Sequence, residues 1–155
     1  MNAIAEPLPA SSPAPLVRRS KPLLSLSGVL SLLGNRSQFQ VLREIDSGGI
    51  LWAFDCRAAG PKRLLRVLPA ALADFMQGRD CKLQWPDVVA LLVPPEPRLC
   101  VAWLAHILNV TPEHIYNLVR AKALSFCARG RRGRGGSALV PRNDFVRFLR
   151  QRRVL

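Results

Sequence analysis

The stretch VAWLAHILNVTPEHIYNLVR, residues 101–120, predicts two short helices separated by a tight turn. The apolar positions of the first helix share one helical face: Val101, Leu104, Ile107 and Leu108. Asn109 closes this run, and Thr111 is a good N-cap for the second helix. Pro112 suits the first position of that helix, because its missing N–H would have no partner there. The second helix has an apolar face of Ile115, Leu118 and Val119, and a polar face of Glu113, His114, Asn117 and Arg120.

A β-hairpin and a third helix are predicted beyond these two helices. A β-like run at 124–128 leads into the loop RGRRGRGGS, at 129–137, and a second short strand covers 139–140. Pro141 or Asn143 opens the last helix. Its apolar residues are Phe145, Phe148 and Leu149.

This order of elements resembles the MerR and excisionase group of winged helix-turn-helix domains, over about a third of the chain. The matching residues of the two helices and the start of the wing are Asn109, Val110, Thr111, Ile115, Tyr116, Leu118, Val119, Ala123 and Leu124. Those of the closing part are Pro141, Asp144, Phe145 and Phe148. The chain departs from the group at Lys122, where glycine is common, and in its longer Arg/Gly-rich wing. The resemblance implies that the partner is double-stranded DNA.

A recognition helix of this kind enters the major groove with its first turns. We therefore expect Glu113, His114 and Asn117 to face base edges, since asparagine pairs with adenine and glutamate accepts from cytosine. Tyr116 and Arg120 would contact or flank phosphate. Thr111 and Lys122 complete the predicted DNA-contacting residues of this segment.

The wing is predicted to contribute Arg129, Arg131, Arg132 and Arg134. The interleaved glycines let its backbone approach a groove while several guanidinium groups reach phosphates. Two alternatives are a solvated turn that orders only on DNA and an RNA-binding Arg/Gly segment. The short loop between two strand-like runs favours a wing, and the few aromatic residues argue against a platform for single-stranded RNA.

A fainter copy of the same order lies roughly 74 residues earlier, which predicts a domain duplication. Its first helix spans Leu26 to Leu33, Ser37 caps its second helix, and Pro69 opens its last helix. The candidate hairpin strands are Leu51 to Cys56 and Arg63 to Leu68.

The fold class is thus predicted as mainly α with small β-hairpin wings (α+β), in two tandem winged helix-turn-helix modules. The domains are a disordered arm at 1–24, a first module at 25–78, a linker at 79–97 and a second module at 98–155.

The first module has its own candidate DNA-binding residues. Its recognition face would carry Gln38, Gln40 and Arg43, and its wing would carry Lys62 and Arg63. The alternative is that exposed Phe39 and a low charge mark a protein-binding face.

Charge separates the two modules. Residues 98–155 contain 12 basic and 2 acidic side chains, a net of +10, whereas residues 25–78 net only +2. The second module is therefore the expected anchor on phosphates.

The linker contains an apolar run, Trp85–Val93, followed by PPEP. The run is a brief helix opened by Pro86 or a strand, and it either seals a core or forms an interdomain or dimer contact. PPEP is expected to be a stiff spacer between the modules.

Other classes of function find little support in the sequence. The four cysteines lack CxxC spacing, so we expect buried reduced thiols and no metal or cofactor. No nucleophile triad, phosphate loop or paired-carboxylate site stands out, so no enzyme is expected. The N-terminal stretch does not resemble a signal peptide, and no apolar run is long enough to span a bilayer. We expect a cytoplasmic, nucleoid-associated protein.

The sequence thus predicts a transcriptional regulator that binds duplex DNA. One alternative is an excisionase-like recombination directionality factor that bends DNA. Another is an adaptor whose first module, or Trp85–Val93, binds a protein such as an integrase, a polymerase or a second copy of the chain.

Changing Arg131, Arg132 and Arg134 together to Ala should weaken binding to every DNA sequence and flatten its salt dependence. The reason is that counterion release follows the number of neutralised phosphates. Titration at several salt concentrations measures both effects. Equal salt slopes for variant and parent would show that these residues do not contact phosphate.

Overall fold

The computed structural model describes residues 22–127 and 138–155. Its elements are β1 (Leu24–Ser25), α1 (Leu26–Leu33), α2 (Gln38–Asp46), β2 (Ala53–Asp55), β3 (Leu65–Val67), α3 (Pro69–Met76), α4 (Trp85–Leu92), β4 (Arg98–Cys100), α5 (Val101–Leu108), α6 (Pro112–Arg120), β5 (Leu139–Pro141) and α7 (Arg142–Arg152). The described residues thus contain mainly helices and a few strands of two or three residues, which confirms the α+β class.

The strands form two small antiparallel sheets. In the first, β3 lies between β1 and β2, and Val67 is opposite both Leu24 and Ala53. In the second, β4 pairs with β5, and Arg98 is opposite Pro141. The first strand of each sheet leads directly into a helix, so each sheet holds the start of a helical pair.

Local capping explains where the helices begin. The Ser37 hydroxyl accepts a hydrogen bond from the Gln40 N–H, and the Gln40 side chain accepts one from the Ser37 N–H, which forms a capping box. Pro69 occupies the first turn of α3, and Pro141 is the N-cap of α7. The predicted starts of these three helices are confirmed.

Two predicted boundaries are wrong. The first module was expected to begin at residue 25, but Leu23 is fully buried and its N–H donates to the Ile107 carbonyl at 3.0 Å. The β-like run at 124–128 is not a strand over its described residues, although the Cys127 N–H donates to the Leu139 carbonyl at 2.8 Å. Ala128 and the wing residues 129–137 lie outside the described residues, as does most of the predicted N-terminal arm.

The larger hydrophobic core belongs to both halves of the chain. Its buried members from the first half include Leu23, Trp52, Phe54, Leu68 and Ala71. They pack with residues of the second half that include Leu104, Ile115, Leu118, Phe145 and Phe148. A smaller core lies within the first half and is centred on Val29, Val41 and Ile45. Burial of this size is the main source of stability, so the halves stabilise each other.

Arg66 of β3 joins the first half to the end of α5. Its Nε donates to the Leu108 carbonyl at 2.9 Å, and its Nη2 donates to the Asn109 carbonyl at 3.0 Å. These carbonyls end a helix and have no partner within it. Burial lowers the pKa of the Arg66 guanidinium, and the carbonyls replace part of its lost hydration.

The C-terminal residues join the halves a second time. Arg153 forms a β-bridge with Phe54, and the Val154 N–H donates to the Ala53 carbonyl at 2.9 Å. Val154 also packs against the smaller core of the first half. Residues at 153–154 thus extend the edge of the first sheet beside β2.

The linker contains a helix that helps to join the halves. The helical alternative for the apolar run is confirmed by α4, and Val88, Leu92 and Val93 are buried in the larger core. Trp85 stacks on Trp52, with ring centroids 6.0 Å apart. The apolar run thus forms an interdomain contact, while Leu91 of the same helix is 52% exposed. The two modules touch directly, so packing as well as PPEP restricts the distance between them.

The cysteines differ in burial. All four thiols are free, but only Cys56 is buried, and Cys127 is exposed. The prediction of buried thiols therefore holds for Cys56 and is wrong for Cys127, which lies in the exposed segment before residue 128.

Arg66→Ala should lower the free energy of unfolding by about 2–3 kcal/mol, because it removes hydrogen bonds from a half-buried charged donor to two carbonyls at the end of a helix. Arg79→Ala is the matched control. It breaks the exposed Arg79–Asp74 ion pair, which should contribute less than about 1 kcal/mol. Urea unfolding of both variants measures the difference. Equal losses of stability in the two variants would contradict the role of Arg66 in joining the two halves.

Burial raises the pKa of the Cys56 thiol to about 12. Cys56 should therefore resist alkylation at pH 8, because little thiolate forms and the thiol is enclosed. Exposed Cys127 should be labelled first in the native chain, and denaturant should make all four cysteines reactive. Peptide mass spectrometry after timed labelling checks this. Labelling of Cys56 as fast as Cys127 would contradict the packing.

Candidate nucleic-acid interface

The turn between α5 and α6 sets the direction of α6. Asn109 adopts a left-handed conformation with φ of 53°, a conformation that asparagine tolerates better than most residues. The Thr111 hydroxyl then accepts from the His114 N–H at 3.3 Å, as an N-cap does. Ile115 and Leu118, two residues of α6, are fully buried. These contacts leave the opposite side of α6 at the surface.

Three predicted DNA-contacting side chains form one connected group on that surface. Arg120 Nη1 donates to Glu113 Oε1 at 3.1 Å and to Asn117 Oδ1 at 2.6 Å. Glu113 and Arg120 are exposed, and Asn117 is half-buried. An exposed ion pair of this kind is weak, in the range of about 0–1 kcal/mol. The three groups are therefore ordered and still available to an incoming polar partner.

His114 lies at the side of this group and points toward the first half of the chain. Its Nε2 is 2.6 Å from the Cys56 carbonyl oxygen, and its ring is half-buried. This contact occupies one of the two ring nitrogens of a side chain that is predicted to face a base edge. The missed partner is Cys56, 58 positions away in the chain, and no local pattern could have indicated the pairing.

Tyr116 lies at the other side of α6. Its ring packs edge-on against Phe126, with centroids 5.6 Å apart, and the tyrosine stays partly exposed. Phe126 lies just before Cys127, the last described residue before the wing. Tyr116 therefore packs on the segment that precedes the predicted wing and also reaches the surface.

Lys122 and Asp144 shape the segment that leads toward the predicted wing. Lys122 adopts a φ of 62°, a conformation that favours glycine, which explains physically why glycine is common here in the group that this segment resembles. Asp144 of α7 accepts from the Ser125 N–H at 2.9 Å and from its hydroxyl at 3.2 Å. Lys122 is exposed, as its predicted role requires. Arg129, Arg131, Arg132 and Arg134 lie outside the described residues.

In the first half, two side chains of the candidate recognition face, Gln40 and Arg43, already have partners within or next to their own helix. The Gln40 side chain belongs to the capping box of α2, and the Arg43 guanidinium lies over the Phe39 ring, 6.0 Å from its centroid. Gln38 is exposed and borders a groove that Lys62 and Arg63 also line. Phe39 itself is 69% exposed, more than any other large apolar side chain of the described residues.

The two predicted basic residues of the first hairpin, Lys62 and Arg63, differ in whether they form an ion pair. Arg63 makes two hydrogen bonds to the Asp46 carboxylate, at 2.9 and 3.3 Å, and these raise its pKa. Lys62 is exposed, and no ion pair within 22–127 and 138–155 involves it. Lys62 is therefore the freer of the two for an anionic partner.

The described ranges offer neither a cluster of metal ligands nor a membrane-spanning helix. They contain no group of three or more His, Cys, Asp or Glu side chains placed to hold a metal ion. No helix in the same ranges has the length and apolar character needed to cross a membrane.

Comparison with protein families finds a match to a family described as "Helix-turn-helix domain", over residues 101–153. The matched range begins with α5 and continues through α6 and β5 to the end of α7. No curated protein and no solved structure matches the chain. The match and the observed order of elements agree that residues 101–153 are a helix-turn-helix DNA-binding domain.

Proposed function

We propose that this chain is a non-enzymatic protein that binds double-stranded DNA through α6 and acts as a transcriptional regulator in the cytoplasm. One observation carries the proposal: the capped second helix of a helix-turn-helix domain presents Glu113, Asn117 and Arg120 together at the surface. The net charge of +10 on residues 98–155 supplies the attraction to phosphates.

Each member of this group has a distinct role on DNA. Asn117 pairs with the edge of adenine, and Glu113 accepts from the amino group of cytosine. Arg120 contacts phosphate, together with the side chain of Tyr116. Lys122 and the four wing arginines add sequence-independent affinity, since they neutralise further phosphates.

We also propose that the two halves arose by tandem duplication. The bounds of α2 and α6 differ by 74 positions at both ends, and so do their N-caps, Ser37 and Thr111. The opposed pair Leu24 and Val67 of the first sheet corresponds, at the same displacement, to Arg98 and Pro141 of the second. Left-handed Gly48 and Lys122 also correspond. Separate origins would not be expected to preserve pairing, capping and backbone conformation at one displacement.

A second candidate function, that of an adaptor, rests on Phe39. In α2 this exposed aromatic occupies the position that corresponds to Glu113 in α6. Its surroundings mix charges, because Arg63 is paired with Asp46 and Arg36 lies 3.6 Å from Glu44. Exposed aromatic residues are enriched at protein interfaces, so α2 would hold a protein partner such as an integrase or a polymerase while α6 holds DNA.

The bound DNA itself separates the biological roles. A regulator occupies promoters, whereas an excisionase-like factor occupies recombination attachment sites and bends them. A genome-wide footprint of the full chain in its native host distinguishes the two. Footprints at neither class of site would contradict both roles.

Asn117→Ala should relax sequence preference and reduce affinity for the preferred site by about 1–3 kcal/mol, because a bidentate contact to adenine is lost. Selection from randomised duplexes with the parent chain, followed by titration of the selected site, measures both effects.

Asn143→Ala, an exposed change on α7, is the matched control and should leave the selected sequence unchanged. Binding of the parent chain to single-stranded RNA but not to duplex DNA would contradict the proposed function. An unchanged preference in Asn117→Ala would contradict only the role given to this residue.

A further inference from the structure

The β2–β3 hairpin of the first half contacts α6 at the end of β2. His114 is the third residue of α6, and its ring contacts the carbonyl oxygen of Cys56, which follows β2 immediately. Residues 57–63 then form the hairpin loop, and those at 59–63 are exposed. The loop therefore begins at the side of the helix that is proposed to enter the DNA groove.

The loop is held in one conformation from several directions. Arg57 Nη1 donates to the carbonyls of Gly60 and Pro61, at 3.2 and 2.9 Å. Arg57 Nε lies 3.2 Å from Asp55 Oδ2, and the Arg57 carbonyl accepts from Arg152 Nη1 at 3.1 Å. A loop ordered in advance pays less conformational entropy when it binds a partner.

The hairpin and the segment before the wing lie on opposite sides of the polar face of α6. With about 3.6 residues per turn, His114 and Tyr116 project from opposite edges of a face that carries Glu113, Asn117 and Arg120. His114 contacts the hairpin of the first half, and Tyr116 contacts Phe126. The reading face of α6 is thus bordered on both sides by other parts of the chain.

We infer that the hairpin loop of the first half serves α6 as a second wing, and that Lys62 contacts the DNA backbone beside the site read by α6. This inference rests on the proposed function. Lys62 is exposed and free of ion pairs within the described ranges, so its ammonium group is available to a phosphate. Arg63 is tied to Asp46, and Arg57 is used to shape the loop. His114 is a positioning residue that fixes the loop against α6.

This arrangement differs from an independent DNA site on the first half. An independent site would use α2 and lengthen the protected DNA by a separate segment. A second wing adds a phosphate contact next to the bases read by Glu113 and Asn117. The two arrangements therefore predict different consequences for the same lysine.

Lys62→Gln in the full chain tests the inference on a duplex selected with the parent chain. We expect weaker binding, a salt slope smaller by about 1, an unchanged preferred sequence, and loss of backbone protection only beside the bases read by α6. The matched control is Lys82→Gln, which removes an exposed lysine from a surface depression near Asp74 and Arg79. It should keep the parent slope.

A double-mutant cycle with His114→Ala tests the positioning role. If His114 only fixes the loop, its removal should reduce the salt slope and keep the preferred sequence, and the double variant should lose less affinity than the two single losses combined. Thermal unfolding of each variant shows whether it is folded. If His114→Ala does not fold, His114→Gln replaces it in the cycle.

Each result has a distinct meaning. The inference of a second wing would be overturned if Lys62→Gln bound DNA with the same salt slope as the parent chain. It would also be overturned if the variant lost protection at a separate, distant segment of the DNA. A changed sequence preference with an unchanged slope in His114→Ala would show that His114 reads bases and would overturn its positioning role. Failure of the parent chain to bind any duplex would overturn the proposed function itself.

Discussion

The burial of residues from both halves in one core is the constraint on which the rest of the structure depends. Phe54 and Trp52 from the first half pack in the same cluster as Phe145 and Phe148 from the second. Residues near both ends of the described ranges add to this packing. Leu23 is buried in the larger core, and Val154 packs on the smaller one. Neither half can leave without exposing apolar surface and unpairing backbone groups. The relative position of α2 and α6 is therefore set by packing, with no dependence on the length of a linker.

Because the halves share one core, an interface formed by both of them would not depend on a linker. Flexible or stiff linkers raise the effective concentration of a second contact, and the gain depends on their reach. Here the end of β2, where the hairpin loop begins, is already held against α6 by the contact between His114 and the Cys56 carbonyl. No entropy of docking one half on the other remains to be lost on binding. The cost is that spacing cannot adapt, so only a duplex whose backbone fits this geometry can contact both elements.

Local patterns predicted much of the fold, and their success has a physical origin. Helix starts depend on near neighbours, so Ser37, Pro69 and Thr111 indicated α2, α3 and α6 correctly. The contacts between the halves join residues that are far apart in the chain, such as Arg66 and Leu108, 42 positions apart, and Arg152 and Arg57, 95 positions apart. No spacing rule indicates such pairs. The same limit applies to the site: Glu113, Asn117 and Arg120 were placed on one face by periodicity, whereas the orientation of His114 was decided by a partner from the other half.

In the proposed complex with DNA, the contacts of Arg120 would couple affinity to sequence preference at α6. In the free protein Arg120 is shared between Glu113 and Asn117, so it reduces the repulsion between the Glu113 carboxylate and an approaching phosphate. Exchange of this exposed ion pair for a phosphate costs little, since pairs of this kind contribute about 0–1 kcal/mol. Once Arg120 moves to phosphate, the carboxylate of Glu113 lacks a partner and is favoured only beside a donor such as the amino group of cytosine. A site without that donor leaves a charged group unpaired against the groove, which is a larger penalty than the loss of one neutral hydrogen bond. In the proposed complex, discrimination at Glu113 would therefore act mainly against wrong sequences, while general affinity would come from the basic residues around it.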